Sequence, residues 1–283
     1  MKIEARSSAG ADVYGVDLRH VDAAGLEALK AAFATHGLLI FHEQQLSEQD
    51  HIAVAERFGR ININRFFESH PAHPEIAMVR KEREQLQNIG GGWHTDHSYD
   101  PDPALGSILV ARELPETGGD TLFLNTSDAF DRLSPGFQAM LRGLRAVHSA
   151  KHIFGAAAAT AAQVDGDRLG NAATADGLAD VVHPVVVRHP LSGRPTLYVN
   201  PAFTLRFEGW TDQESEPLLR QLYAHISAAP GVCRVRWAPG MVAFWDNRST
   251  WHYAVNDYHG QRREMHRITL DGCALEASSE LAP

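Results

Sequence analysis

The fold is decided by MVAFWDNRSTWHYAVNDYHGQRREMHRITL at residues 241–270. Apolar runs at both ends of this stretch predict strands, and the polar residues between them predict turns. If residues 261–267 form a strand, its alternation places Arg263, Met265 and Arg267 on one face. The stretch therefore predicts β-structure with two arginines that point inward.

Many short β-type runs, separated by turn formers, occupy the rest of the chain from about residue 76 onward. They are IAMVR, SILVAREL, DTLFLN, RAVHSA, HPVVVRH, TLYVN and CRVRW. Short strands at this spacing favour a sandwich or jelly roll. No domain boundary stands out, so we predict a single domain over residues 1–283, mainly β with flanking helices.

Helices are predicted around the strands from their caps and periodicity. The first spans 22–37, with Asp22 as N-cap, and the second begins at Ser47 and ends before Gly59. Two more are predicted at 134–144 and at 211–226, the latter with a Thr211–Glu214 capping box. We expect the last two to cover the outside of the sheets.

The segment 155–180, GAAAATAAQVDGDRLGNAATADGLAD, is rich in Ala, Gly and Asp and poor in large apolar residues. Such a composition buries little surface by itself. Long loops within a compact domain are either functional or disordered. We therefore predict a mobile loop or lid here, beside the mouth of an active site.

Composition limits the class of protein. The chain has 283 residues, 44% of them hydrophobic, and a formal net charge of −9, with no basic run that would neutralise a phosphate backbone. We therefore expect no nucleic-acid partner. The N-terminal residues lack the apolar stretch of a secretory signal, and no window predicts a membrane span, so we expect a cytoplasmic protein. Its two cysteines, Cys233 and Cys273, indicate neither a disulfide framework nor a thiolate zinc site.

His94-Thr95-Asp96 forms an H-x-D triplet, in which strand alternation brings imidazole and carboxylate to one face. Alone this spacing is a weak signal, because His20-Val21-Asp22 has it too and Asp22 is better explained as a helix cap. The first triplet follows three glycines and Trp93, and His252 supplies a third ligand downstream. Two histidines and one carboxylate suit ferrous iron with open coordination positions.

Arg263 adds a second element to this predicted site. An inward guanidinium beside a metal is costly unless it meets an anion, and a dicarboxylate that chelates iron would bring a distal carboxylate to it. That is the chemistry of 2-oxoglutarate. Thr121 is positioned in the sequence to add a hydroxyl to the same carboxylate.

These residues resemble the taurine dioxygenase and 2,4-dichlorophenoxyacetate dioxygenase family of Fe(II)/2-oxoglutarate-dependent dioxygenases. The matching segments run through nearly the whole chain in order. They are GVDL (15–18), RFG (57–59), WHTD (93–96), GSILVARELPETGGDTLF (106–123), HPVVVRHPLSGRPTLYVNPAF (183–203) and WDNRSTWHYAVNDYHGQRREMHR (245–267).

The resemblance implies a double-stranded β-helix of jelly-roll type. It also implies an enzyme that uses Fe(II), 2-oxoglutarate and O2 to hydroxylate a small organic anion, releasing succinate and CO2. The implied iron ligands are His94, Asp96 and His252. Thr121 and Arg263 would hold 2-oxoglutarate.

On the substrate side, the resemblance places Arg267 near an anionic group and Phe154 and Phe203 around the substrate. The taurine enzymes hold the sulfonate with a histidine, and alignment on RFG puts Asn64 at that position. Asparagine donates a hydrogen bond but carries no charge. We therefore expect a sulfonate, sulfate ester or aryloxyalkanoate with a larger apolar body, rather than taurine.

Several alternatives stay open at this point. One is a taurine dioxygenase proper, and another is a catalytically silent jelly roll that binds an organic anion; a zinc hydrolase would leave the inward arginines unexplained. His97 faces either the pocket rim or the core, and Arg248 either braces its turn or binds a ligand. We also expect a homo-oligomer, although the sequence does not fix its size.

Overall fold

The computed structural model describes residues 1–155, 172–228 and 231–278. Its helices are α1 (Ala23–His36), α2 (Glu48–Phe58), α3 (Thr126–Asp131), α4 (Pro135–Arg142), α5 (Lys151–Phe154), α6 (Ala172–Gly177) and α7 (Asp212–Ser227). Its strands are β1 (Lys2–Ala5), β2 (Ala11–Tyr14), β3 (Leu38–Phe41), β4 (Ile61–Asn62), β5 (Ser69–His70), β6 (His73–Lys81), β7 (Gly106–Glu113), β8 (Thr121–Asn125), β9 (Arg145–His148), β10 (Val181–Pro184), β11 (Val186–Arg188), β12 (Pro195–Leu197), β13 (Thr204–Phe207), β14 (Cys233–Val235), β15 (Val242–Asp246), β16 (Thr250–Ala254) and β17 (Arg263–Leu270).

The largest sheet within the described ranges has the strand order β1-β2-β3-β15-β7-β17-β6-β5, and β4 pairs with the end of β17. Strands β2 and β3 are parallel, whereas β7 is antiparallel to both of its neighbours. In this register Ser107 of β7 lies between Trp245 of β15 and Thr269 of β17. Residues distant in the chain thus become direct neighbours at the centre of the sheet.

The two faces of this sheet pack against different layers. Helices α1 and α2 cover one face, where Phe33 and Val54 contact a core that includes Ile108. The opposite face packs through Trp245 and Met265 onto the smaller sheet β14-β8-β16. Full burial of one large apolar side chain contributes about 1.5–3 kcal/mol, so both cores favour this layered arrangement.

Two further small sheets, β10-β9-β13 and β11-β12, extend the second layer. Helices α3, α4 and α7 pack with them around Phe130, Leu141 and Leu222, each of which is almost completely buried. The prediction of a mainly β structure with flanking helices is confirmed, and these helices lie outside the sheets as expected.

The helix boundaries follow the caps predicted from the sequence. Asp22 accepts a hydrogen bond from the Gly25 amide at 2.7 Å, and Gly37 ends α1 in the left-handed region at φ 68°. Thr211 and Glu214 form the predicted capping box at the start of α7. Helix α4 ends earlier than predicted, at Arg142, because Gly143 closes it.

The predicted lid at 155–180 lies partly outside the described residues, which exclude 156–171. Within its described part, Ala172–Gly177 forms the short helix α6, which the sequence did not predict. The high helix propensity of alanine accounts for this difference. Ala175 and Leu178 pack against a cluster of aromatic side chains described below. Among the helices that the structure describes, none is long and apolar enough to cross a membrane.

Candidate functional site

His252 is positioned by the turn between β15 and β16. Asp246 is fully buried and accepts two side-chain bonds from Arg248, at 2.8 and 2.6 Å, while His189 lies 3.1 Å away. Burial opposes ionisation of Asp246, yet Arg248 and His189 hold its pKa below the usual value. Arg248 therefore braces the turn, which is the structural role that the sequence left open.

The backbones of two predicted metal ligands are bonded to each other. His94 and His252 form an isolated antiparallel bridge, with N–H···O distances of 3.1 and 2.8 Å in the two directions. The prediction that the H-x-D triplet lies on a strand is therefore wrong: His94 forms a single bridge to β16, and Asp96 already belongs to the turn that follows. The bridge brings the imidazole rings to 4.0 Å between centroids.

The side chains of His94, Asp96 and His252 converge as the sequence predicted. One ligand atom from each lies within 4.8 Å of the others. Nε2 of His94 is 3.8 Å from one Asp96 oxygen, and Nε2 of His252 is 3.9 Å from the other. Nδ1 of His94 donates to the Gly92 carbonyl at 2.7 Å, which leaves Nε2 as an acceptor facing the site.

The charge states of these groups suit a divalent cation. Burial opposes the charge of Asp96, but Arg267, His252 and His94 keep its pKa below the usual value. Burial also lowers the pKa of His94, and it lowers that of His252 well below the ordinary range. A carboxylate and two neutral imidazoles are the forms that bind a metal at neutral pH.

Arg263 lies at the inner face of β17 with only 4% of its surface exposed. Its Nε and Nη2 atoms have no hydrogen-bond partner among the described residues, and burial lowers its pKa. Buried donors without partners cost about 1–3 kcal/mol each, more when charged. The guanidinium therefore suits an anionic ligand such as a carboxylate.

Thr121 lies on β8, next to the strand that carries His252. The register pairs Phe123 with His252, so Thr121, two residues earlier, lies on the same face as this pair. Its hydroxyl accepts a hydrogen bond from Trp237 at 2.9 Å and keeps its own hydrogen for another acceptor. Thr121 is thus oriented and buried.

Arg267 connects the predicted metal ligands to the predicted substrate side. Its Nη1 donates to Asp96 at 3.0 Å, and its guanidinium carbon lies 4.4 Å from the centre of the Phe67 ring. Its Nε is buried without a partner among the described residues. The Nε–H of Arg267 is thus a buried donor that remains available to an anion beside the predicted metal ligands.

Phe154 and Phe203 belong to an aromatic cluster. Phe66 stacks on Phe154 at 4.3 Å between centroids, and Tyr99 meets Phe203 edge-on at 4.8 Å. Sequence reasoning placed two of these rings near the substrate and missed Phe66, Phe67 and Tyr99. The Phe66-Phe67 pair directly after Asn64 and Arg65 was the available signal.

Asn64 is buried beside this cluster, 7% exposed. Its carbonyl oxygen accepts from the amides of Phe66 and Phe67, so its amide nitrogen faces Nε2 of His97 at 3.4 Å. His97 has a positive φ of 59° and bonds Asp100 through Nδ1 at 2.8 Å. Asn64 and His97 are therefore contact partners within the described structure.

Comparison with known proteins identifies the family. A model of the family described as "Taurine catabolism dioxygenase TauD, TfdA family" matches residues 3–269. The alpha-ketoglutarate-dependent sulfate ester dioxygenase of Pseudomonas putida is 33% identical over 273 residues, covering 93% of this chain and 86% of that relative. The (S)-phenoxypropionate/alpha-ketoglutarate-dioxygenase of Sphingobium herbicidovorans is 31% identical, covering 93% and 92%.

A solved structure is similar over the whole fold. It is the crystal structure of a putative alpha-ketoglutarate-dependent taurine dioxygenase from Burkholderia xenovorans, with a TM-score of 0.82 and 30% identity. The match covers 99% of this chain and 96% of that chain. Because the family model spans nearly all of the sequence and these relatives align almost end to end, the protein belongs to the taurine catabolism dioxygenase TauD, TfdA family, as its motifs predicted.

Proposed function

We propose that the protein is an Fe(II)- and 2-oxoglutarate-dependent dioxygenase that hydroxylates a small organic anion and releases succinate and CO2. It is an oxidoreductase of the dioxygenase class. The observation that carries the proposal is the convergence of His94, Asp96 and His252 within 4.8 Å, close to inward-facing arginines with unpaired nitrogen atoms.

His94, Asp96 and His252 would hold the iron. A two-histidine, one-carboxylate set leaves coordination positions open, which suits ferrous iron in oxygenases. When bound, iron supplies oxygen activation coupled to the oxidative decarboxylation of 2-oxoglutarate. The protein keeps Asp96 ionised and both imidazoles neutral, so the three ligands need no deprotonation at neutral pH.

Arg263 and Thr121 would bind the distal carboxylate of 2-oxoglutarate. The unpaired Nε and Nη2 of Arg263 offer two donors, and the Thr121 hydroxyl keeps one hydrogen after accepting from Trp237. Charge-assisted bonds of this kind are stronger than neutral ones and orient the co-substrate. The buried surroundings keep competing water away from these donors.

Arg267, Asn64, Phe154 and Phe203 would form the substrate side. Arg267 supplies the cationic anchor and Asn64 a neutral neighbour, while the aromatic cluster buries an apolar body at roughly 25 cal/mol per Å². Relatives whose names specify a sulfate ester and a phenoxypropionate support an anion with such a body. A homo-oligomeric assembly and a lid at 155–180 belong to the same proposal.

The layered sheets would form a double-stranded β-helix, the jelly-roll fold that the sequence resemblance implied. The antiparallel pairs β15–β7 and β16–β8 support this assignment, since they face each other across the core that contains Phe123 and Trp245. In this arrangement the metal ligands lie between the two sheets.

The proposal is tested by succinate formation with four candidate substrates: taurine, a medium-chain alkyl sulfate, an alkylsulfonate and an aryloxyacetate. We expect the alkyl sulfate, alkylsulfonate or aryloxyacetate to exceed taurine, because Asn64 adds no charge and the aromatic cluster favours apolar bodies. Asn64→His should raise taurine use relative to the others.

Two results would contradict the proposal at different levels. If taurine is the best of the four, the plain taurine dioxygenase alternative replaces the substrate assignment. If no succinate forms with any anion while the anions still bind, the silent anion-binding jelly roll replaces the enzyme. Arg262→Leu is the control variant for the loss of an arginine on β17 or beside it. Arg262 pairs with Glu82, Glu113 and Glu264 instead of facing the site, so this variant should keep wild-type succinate formation.

A further inference from the structure

Asp96 is held from behind by a hydrogen-bonded chain of buried side chains. Trp245 donates to the Asn247 carbonyl oxygen at 2.8 Å, the Asn247 amide nitrogen lies 3.3 Å from the Ser107 hydroxyl, and that hydroxyl lies 3.3 Å from Oδ2 of Asp96. Trp245, Asn247 and Ser107 are each at most 1% exposed. Water therefore does not compete for these bonds.

The direction of every bond in this chain follows from its first member. The indole nitrogen of Trp245 is a donor only, so it must face the oxygen of the Asn247 amide. The amide nitrogen of Asn247 then has to donate to Ser107. Because Ser107 accepts that bond, its single hydrogen is directed to the carboxylate of Asp96.

Asp96 Oδ2 receives a second donor from the other side. Arg267 Nη1 lies 3.0 Å from the same oxygen, so Oδ2 accepts two bonds. Within the residues that the structure describes, no side chain donates to Oδ1, which lies 3.8 Å from Nε2 of His94, whereas Oδ2 lies 3.9 Å from Nε2 of His252. The two oxygens of Asp96 are thus in different environments.

We propose that Trp245, Asn247 and Ser107 act as positioning residues that fix the orientation of the Asp96 carboxylate, so that Oδ1, which accepts no side-chain bond among the described residues, is the oxygen left for the metal. This inference rests on the proposed function, since it assigns a role toward the proposed iron. Asn247 adds a second restraint, because its backbone carbonyl accepts a bond from Thr95, between the two ligands of the H-x-D triplet.

The experiment measures Co(II) binding to the full-length apoprotein, by dissociation constant and by d–d absorption, which reports coordination geometry. Ser107→Ala removes the donor to Asp96. Asn247→Asp keeps the side-chain volume but reverses the polarity, because an aspartate accepts the Ser107 hydrogen and draws it away from Asp96. We expect both variants to bind Co(II) about 10–100-fold more weakly than wild type, with altered d–d bands.

Thr269→Val is the matched control. Thr269 pairs with Ser107 across β17 and β7, is 2% exposed, and its hydroxyl has no partner among the described residues. Its loss removes a buried hydroxyl at the neighbouring position without touching the chain to Asp96. We expect affinity within about twofold of wild type and unchanged bands, on the order expected for a site without a role in ligation.

Two results would overturn the positioning role. One is wild-type affinity and bands in Ser107→Ala and Asn247→Asp, and the other is an equal loss in Thr269→Val and Ser107→Ala. If Ser107→Ala does not fold, as judged by circular dichroism, Asn247→Asp gives the answer. Wild type that binds no Co(II) would reject the proposed function as well, whereas wild type that binds, with unaffected variants, rejects only the positioning role.

Discussion

At the scale of single residues, Gly119 controls the space around Arg263. A Cβ atom on Gly119 would lie 3.1 Å from Cδ of Arg263 and 3.1 Å from Cγ of Pro115, and the residue has φ +72°. Even the smallest side chain would therefore press on the arginine that is proposed to bind 2-oxoglutarate. Gly193 has the same φ of +72°, but a Cβ there would meet no atom within 4 Å.

Gly119 and Gly193 therefore predict different effects of an alanine substitution on the KM for 2-oxoglutarate. Gly119→Ala should raise the KM for 2-oxoglutarate about 10–100-fold, because a displaced guanidinium loses a charge-assisted bond of about 1.5–3 kcal/mol. Gly193→Ala introduces the same backbone strain, because Gly193 has the same φ, and it should leave this KM unchanged. Arg263→Leu sets the upper limit, with a loss of about 2–5 kcal/mol. Equal KM values in the two glycine variants would show that Gly119 does not act through Arg263.

Residue types, spacing and the family resemblance predicted His94, Asp96 and His252 as metal ligands, but not the side chains that hold Asp96 in place. His94, Asp96 and His252 were candidates because the H-x-D triplet follows three glycines and Trp93, and because the segments around them resemble a known family. Ser107 and Asn247 were not, because their contacts arise from the register between β7, β15 and β17. Alternation along one strand gives the face on which a residue lies, but not its neighbour across the sheet.

At the scale of elements, α2 is tied to the large sheet through a buried histidine. His51 is fully buried, and its Nε2 lies 3.3 Å from the Ile108 carbonyl of β7. Burial is the main cause that lowers the pKa of His51 to about 3, and the charge of Arg112 acts in the same direction. The helix therefore docks with a neutral imidazole.

The pH dependence of stability follows from this pKa. Between pH 6.5 and about 3 the unfolded chain binds a proton at His51 that the folded chain does not, so stability falls as pH is lowered. His51→Gln keeps a donor for Ile108 but cannot titrate. We expect it to flatten the slope of the unfolding free energy against pH by up to about 1.4 kcal/mol per pH unit, as measured by urea denaturation.

The exposed His259 provides the comparison, because His259→Gln also removes one histidine. An unchanged slope in His51→Gln, or an equal change in His259→Gln, would show that the buried imidazole does not cause the loss of unfolding free energy as the pH is lowered.

Elements with strong apolar patterns were predicted and weak ones were not. Strands β7, β8 and β15 follow long apolar or β-branched runs. The short strands β4 and β5 contain only IN and SH, so they depend on pairing with β17 and β6 rather than on their own composition. Helix α6 was not predicted, because its alanines favour a helix while the neighbouring Gly and Asp residues and the lack of large apolar side chains favour a loop.

At the scale of the whole molecule, the proposed site is built from residues that lie far apart in the sequence. Its proposed ligands come from the 94–96 segment, from β8, from β16 and from β17. A ligand that binds only this folded arrangement stabilises it by about 2.7 kcal/mol at a hundredfold excess over its dissociation constant. Binding and folding stability should therefore be linked.

We expect Mn(II) with 2-oxoglutarate, under anaerobic conditions, to raise the free energy of unfolding of wild type by this amount. His252→Ala should lose the increase, because the remaining two ligands have no spare donor in the described site. His259→Ala should keep it. A metal-dependent increase that survives in His252→Ala would place the metal at another site.

The fold class was accessible from the sequence, whereas the sheet order was not. Short strands of regular spacing predict layers of β-structure, but nothing local indicates that β15 inserts between β3 and β7. Such pairings are set by the burial of both sheet faces over the whole chain. The homo-oligomer, the cytoplasmic location and the lid remain predictions.

The backbone bridge between His94 and His252 has a consequence for how the site forms. The two imidazoles are aligned by hydrogen bonds between their own backbones. The proposed iron site would therefore be preorganised, and an ion that binds there would not have to gather its ligands from a disordered loop. Exchange of such an ion would likewise not require local unfolding of the sheet.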